Sequence, residues 1–108
     1  MQSKKTAIVI ASYKELEALP ILISRISPTL NQNQIVIIAD DSPIELRKQL
    51  IEKCKQEFKS NHSTLDFSFS ANKCGRGAAI FRGIKFAQNT YGYFDFYLEC
   101  DSDGSHRA

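Results

Sequence analysis

Residues 6–11, Thr-Ala-Ile-Val-Ile-Ala, are an unbroken apolar run rich in β-branched side chains. A strand covered on both faces reads this way, because neither face needs polar positions. After a polar break at Ser12-Tyr13-Lys14-Glu15, Leu16, Leu19, Leu22, Ile23 and Ile26 recur at helical spacing. That spacing predicts a helix over residues 19–27, with Pro20 tolerated only in its opening turn, where no intrahelical N–H is needed. Residues 35–39, Ile-Val-Ile-Ile-Ala, repeat the buried-strand pattern and stop at Asp40-Asp41-Ser42-Pro43. Ile44, Leu46, Leu50, Ile51, Cys54 and Phe58 then mark a second amphipathic helix. Leu65, Phe67 and Phe69 alternate with Asp66, Ser68 and Ser70, the period of a half-buried strand. The turn Asn72-Lys73-Cys74-Gly75-Arg76-Gly77 opens a third helix carrying Ala79, Ile80, Ile84 and Ala87. A last strand is predicted over residues 93–100, ending in Asp101-Ser102-Asp103.

Strict alternation of strand and helix predicts an α/β fold of three layers, with a mostly parallel four-stranded sheet and right-handed crossovers. Ligands of such sheets lie beyond the carboxyl ends of the strands, and every unusual motif of this chain falls there. No repeat, low-complexity tract or linker interrupts it, so residues 1–108 read as one domain.

Composition narrows the function. The chain is 43% hydrophobic and 24% charged, the make-up of a globular domain. Fourteen Lys and Arg against 12 Asp and Glu leave a formal charge of +2 and no long basic run, which argues against a nucleic-acid partner. The basic cluster Arg47, Lys48, Lys53, Lys55 and Lys59 reads as a solvated helix face. Cys54, Cys74 and Cys100 are odd in number and widely spaced, so neither a disulfide framework nor a zinc site is indicated, and a reducing, cytoplasmic setting suits them. The first apolar run is too short for a signal core or a membrane span.

Four motifs carry candidate chemistry. Asp101-Ser102-Asp103 sets two carboxylates after a buried strand, where a hard divalent cation, Mg²⁺ or Mn²⁺, can bridge them to a diphosphate. Elsewhere such a triplet is an ordinary exposed turn, and its position is what gives it weight. Asp40-Asp41 is a second carboxylate pair at the same sheet edge, suited to accept hydrogen bonds from a base or a ribose. Its alternative role is capping of the following helix by Asp41 or Ser42. The glycines of Gly75-Arg76-Gly77 let the backbone approach a ligand at a helix N-terminus, and Arg76 faces either phosphate or solvent. Ile80 stands where a dinucleotide fingerprint has its third glycine. Tyr13 and Glu15 are candidates for contacting a base, and His106 is a candidate ligand or phosphate contact.

In this order and spacing, the motifs resemble the N-terminal half of the family 2 glycosyltransferases, especially the dolichyl- and polyprenyl-phosphate mannosyl- and glucosyltransferases. Ile10-Ala11-Ser12-Tyr13-Lys14-Glu15 is similar to that family's Ile-Pro-Thr-Tyr-Asn-Glu, and Asp40-Asp41-Ser42-Pro43 to its Asp-Asp-x-Ser or Asp-Asp-Asn-Ser-Pro. Gly75-Arg76-Gly77-Ala78-Ala79 through Gly83 resembles its Gly-x-Gly-x-Ala with a later glycine, and Asp101-Ser102-Asp103-Gly104-Ser105-His106 its Asp-Ala-Asp-Leu-Ser-His. Ala11 stands in place of proline and Lys14 in place of asparagine. The resemblance covers nearly the whole chain and implies a Rossmann-like GT-A domain that binds a nucleoside-diphospho-sugar, GDP- or UDP-hexose. It implies that Ala11, Tyr13, Glu15 and Asp40 line the nucleoside pocket, that Asp101 touches ribose or metal, and that Asp103 holds Mg²⁺ or Mn²⁺ on the diphosphate. Asp41, Gly75 and Arg76 belong to the same expected donor site, and Asp101 and Asp103 are the expected catalytic pair.

The implied reaction is inverting transfer of a hexose to a lipid phosphate. A phosphate with a second pKa of about 6 is already ionised at neutral pH and needs no general base. The family's acceptor-binding segment lies beyond position 108. This chain is therefore expected to be the donor-binding half, to bind nucleotide weakly and to transfer no sugar alone, with any membrane contact peripheral. An uncovered edge on the fourth strand is expected to invite self-association. Two other readings remain at this point: a signalling receiver domain and a non-catalytic nucleotide-binding module. A receiver has its acidic pair after the first strand and its phosphorylated aspartate after the third, whereas the acidic pairs here follow the second and fourth.

Overall fold

The two unbroken apolar runs become the two central strands of one parallel sheet. The computed structural model describes residues 5–60, 63–70, 72 and 75–101, with Asp101 described in its backbone only. The elements run β1 (Thr6–Ser12), α1 (Ala18–Ile26), a 3₁₀ turn (Ser27–Thr29), β2 (Gln34–Asp40), α2 (Ile44–Glu57), β3 (Thr64–Phe69), α3 (Arg76–Tyr91) and β4 (Phe96–Asp101). The strands are ordered β3-β2-β1-β4, all parallel. The fold is the expected α/β, Rossmann-like arrangement of helices on both faces of the sheet. In the sheet of receiver domains β1 lies between β2 and β3, whereas here it lies between β2 and β4.

Helices α1 and α2 cover one face, packing Leu19, Leu22, Ile23, Leu50 and Cys54 against Ile10, Val36 and Ile38. On the opposite face α3 packs Ala79, Ile80 and Ala87 against Ala7, Val9, Ile35, Ile37 and Ala39. Its contact stripe is made of small residues four apart, Ala79, Gly83 and Ala87. A Cβ added at Gly83 would stand 2.5 Å from Val9 Cγ1 and 3.3 Å from the Ala39 Cβ. The helix therefore rides on the sheet at a distance that only glycine allows.

Four local differences from the expected elements have physical causes. Strand β4 begins at Phe96 rather than at residue 93, because the backbone N–H groups of Asp95 and Phe96 both donate to Lys5 O, at 2.9 and 3.2 Å, in a turn that delivers the chain to the sheet. Helix α3 begins at Arg76, so Gly77 lies within its first turn; Gly75, with φ 91° and ψ 164°, holds the N-cap position in a conformation that glycine alone adopts readily. The α2 N-terminus has Pro43 at the N-cap and no side-chain cap, since Asp41 and Ser42 make other bonds described below. Two polar positions of β3, Asp66 and Ser68, have partners inside the fold. Helix α3 covers them, Tyr91 donating to Asp66 Oδ2 at 2.6 Å and Arg82 Nε to Ser68 Oγ at 3.2 Å. Pro20 is the third residue of α1, inside the turn whose N–H groups have no helical partner.

Burial and, secondarily, the Asp40 charge push the Cys54 thiol from 9.0 up to about 12. The Tyr91 hydroxyl also rises from 10.0 to about 12, through desolvation first and then its bond to Asp66 and that carboxylate's charge. Both groups keep their protons in the fold at pH values where the unfolded chain has lost them. Their contribution to stability is full below about pH 9 and disappears as pH climbs to about 12. Urea denaturation at stepped pH is expected to show stability falling over this window, less steeply in Tyr91→Phe; a flat profile would contradict the assignment.

Strand β4 is the end of the sheet, and among the described residues only β1 pairs with it. Phe96 and Leu98, on the same strand face as Cys100, are each 52% exposed. Among the described residues no helix is long and apolar enough to cross a membrane.

Candidate functional site

Parallel pairing brings the carboxyl ends of β1, β2 and β4 into one row. Ala11 lies between Ala39 on β2 and Asp101 on β4, and Ser12 lies opposite Asp40. The loops carrying three of the four sequence motifs therefore leave the sheet side by side. Helix α3 brings the fourth, Gly75-Arg76-Gly77, to the same edge, because the chain leaving β3 enters it there.

Asp40 is fully buried. Its Oδ2 accepts from Ser12 Oγ at 2.5 Å and from Ser42 Oγ at 3.0 Å, and its Oδ1 accepts from the Ser42 backbone N–H at 2.8 Å. A carboxylate removed from water needs such donors, and here two serines at the ends of β1 and β2 supply them. Ser42, itself 1% exposed, relays the arrangement outward, its Oγ accepting from the Lys14 backbone N–H at 2.7 Å.

Lys14 has φ 55°, in the left-handed region that costs an L-residue about 1 kcal/mol. The bond to Ser42 holds it there. Its Nζ lies 5.3 Å from the centroid of the Tyr13 ring. Tyr13 and Glu15 are half-buried in the same loop, and the Glu15 carbonyl accepts from Leu19 N at 3.2 Å, joining the loop to α1.

Asp41 is 4% exposed and pairs with Arg82, Nη1 to Oδ1 at 2.7 Å. The same guanidinium donates through Nη2 to Ser68 O at 3.0 Å and to Asp40 O at 3.4 Å. One side chain from α3 thereby ties together the ends of β2 and β3. Its reach depends on the close seating of α3 at Gly83, the residue next to it. Arg82 was not among the residues the sequence singled out. Its signal was an arginine on the flank of an otherwise small and apolar stripe, three residues after Ala79.

At the start of α3, Gly75 and Gly77 are exposed, with nothing within 4 Å of where a Cβ would stand. The backbone conformation of Gly75 explains its glycine. Nothing in the packing explains Gly77, whose missing side chain leaves the first turn open to a ligand. Arg76 Nη1 lies 3.2 Å from Glu99 Oε1 on β4, both side chains about half exposed, an ion pair of the weak surface kind.

No family model, curated protein or solved structure matches this chain. The functional reading therefore rests on its own residues. Asp40 and Asp41 are both engaged inside the protein. Of the second acidic pair, Asp101 is placed next to Ala11, and Asp103 lies outside the described residues, as do Cys74 and His106. Among the described residues no group of three or more His, Cys, Asp and Glu side chains is arranged to hold a metal ion.

Proposed function

We propose that this domain binds a nucleoside-diphospho-sugar at the carboxyl edge of its sheet, as the donor-binding part of an inverting glycosyltransferase. The observation that carries the reading is the register that sets the Tyr13–Glu15 loop, the Asp40-Asp41 segment and Asp101 on one edge, beside the open first turn of α3. In a sheet of order β3-β2-β1-β4 the crossovers turn to opposite faces between β1 and β4, and a crevice opens there. Tyr13 and Glu15 border it from β1 and Asp101 from β4. The N–H groups of the α3 first turn favour a negatively charged ligand nearby.

In this reading Asp101 and Asp103 hold Mg²⁺ or Mn²⁺, and oxygen donors of this kind are what those ions take. When bound, the cation supplies countercharge to the diphosphate leaving group. Asp40 and Asp41 do not contact it; they hold the loops that shape the crevice. Tyr13 offers an aromatic face and a hydroxyl to the base. The hexose and the lipid-phosphate acceptor are carried by the resemblance of the motifs. The strand order speaks against the receiver-domain alternative.

Calorimetric titration of GDP, UDP and their hexose conjugates, with and without Mn²⁺, tests the reading. Binding is expected to strengthen with Mn²⁺ in the wild-type chain and to lose that dependence in Asp103→Ala. Binding that ignores both the metal and the substitution would remove the role assigned to Asp103. The β4 edge, paired only with β1 among the described residues, is expected to promote association at high protein concentration, and Leu98→Lys to suppress it. Sedimentation equilibrium checks this, a monomer at every concentration being the opposing result.

A further inference from the structure

The Ser12, Asp40 and Ser42 side chains are buried at 7%, 0% and 1% exposure, yet the group they finally position is an exposed one, the backbone of Lys14. Packing does not require a lysine in the left-handed region at a solvent-exposed position. Strain of this kind, held by buried hydrogen bonds, is a property of sites where a side chain must stand in one place. Lys14 lies in the loop leaving β1, at the point where the crossovers diverge and the ligand crevice of this sheet order opens.

Charge narrows what Lys14 meets there. Among the described arginines at this edge, Arg82 and Arg76 are engaged by carboxylates, Asp41 and Glu99, and Arg47 lies over the Phe69 ring at the end of β3, two strands away from the β1–β4 crevice. Lys14 rests its ammonium against the Tyr13 ring instead. We infer that Lys14 is a ligand-contacting residue whose ammonium binds the diphosphate of the nucleotide in the β1–β4 crevice. The ligand class rests on the proposed function above. A compact, hydrated ammonium serves as a point charge for phosphate and adds nothing to binding of an uncharged nucleoside.

Two substitutions separate charge from backbone. Asparagine tolerates the left-handed conformation and removes the charge, whereas arginine keeps the charge. Titrating GDP, UDP, guanosine and uridine into wild type, Lys14→Asn and Lys14→Arg, with unfolding temperatures measured alongside, reads the role directly. Lys14→Asn is expected to weaken diphosphate binding about tenfold, leave nucleoside binding unchanged and unfold no lower than wild type, while Lys14→Arg stays within about threefold. Diphosphate binding by Lys14→Asn within twofold of a binding-competent wild type overturns the role of Lys14 and leaves the nucleotide reading standing. A wild-type chain that binds neither nucleosides nor diphosphates overturns both.

Discussion

Replacing Arg82 with alanine is expected to lower the stability of the fold by about 3 kcal/mol, the low end of the range for removing one partner of a buried ion pair. The low end applies because the Arg82 side chain is 26% exposed, while Asp41 at 4% is shielded from water. The substitution strips the Asp41 carboxylate of its guanidinium. It also removes donors from Ser68 O and Ser68 Oγ. For a domain of this size the loss corresponds to a fall of roughly 15 °C in melting temperature. Arg82→Met combined with Asp41→Asn, which removes the charge at both ends, is expected to recover more than half of it. A loss below about 1 kcal/mol in Arg82→Ala would mean that the pair behaves as a surface ion pair and that α3 is held by its apolar stripe alone.

The second large effect is at Gly83. Alanine is the better helix former by about 1 kcal/mol, so helix propensity alone predicts that Gly83→Ala stabilises. Packing predicts the opposite, because the new methyl meets the buried Val9 side chain at 2.5 Å and the Ala39 Cβ at 3.3 Å. Overpacking of this kind costs about 1–3 kcal/mol, and the larger clash wins. With the contact at 2.5 Å placing the cost toward the upper end of that range, the expected net result is a destabilisation of up to about 2 kcal/mol by urea denaturation, growing with Gly83→Val. Val9→Ala opens the contested space, so the double substitution should cost less than the sum of the two single ones. A higher melting temperature for Gly83→Ala would show that α3 shifts outward at little cost, and would weaken the link between its seating and the reach of Arg82.

The fold was legible because its strongest signals are periodicities. The two β-branched runs read as strands covered on both faces, and the alternation of strand and helix pointed to a parallel sheet. The strand order was not legible, since it depends on which face each crossover takes. Boundaries slipped where a tertiary bond decided them, as when Lys5 O captured the N–H groups of Asp95 and Phe96 and delayed the start of β4. The polar positions around β3 read as a wet face, whereas Asp66 and Ser68 have partners on α3. Alternation reports polarity, and does not report whether water or a hydrogen bond satisfies it.

For the site, the sequence placed the motif loops on one edge and the register brought them together. It did not distinguish carboxylates that serve the protein from those free to serve a ligand. Asp40 and Asp41 read as one carboxylate pair facing a ligand or capping a helix, yet each takes a different internal partner, serines for Asp40 and Arg82 for Asp41. Ser42 is a local partner, two positions on, but Ser12 and Arg82 lie 28 and 41 positions from their carboxylates, beyond any local pattern. Lys14 read simply as a departure from asparagine. The left-handed backbone gives that position its meaning, since asparagine adopts it with less strain than lysine.

The central claim is that a nucleotide binds at the carboxyl edge of this sheet, and amide chemical-shift mapping tests it most directly. With UDP or GDP and Mg²⁺ added stepwise to ¹⁵N-labelled protein, the largest shifts are expected at Tyr13, Lys14, Glu15, Arg76, Gly77 and Asp101. The amides of Lys5, Asn33 and Thr64, at the opposite end of the strands, should stay still. Shifts concentrated at that opposite end, or none at millimolar nucleotide, would contradict the account.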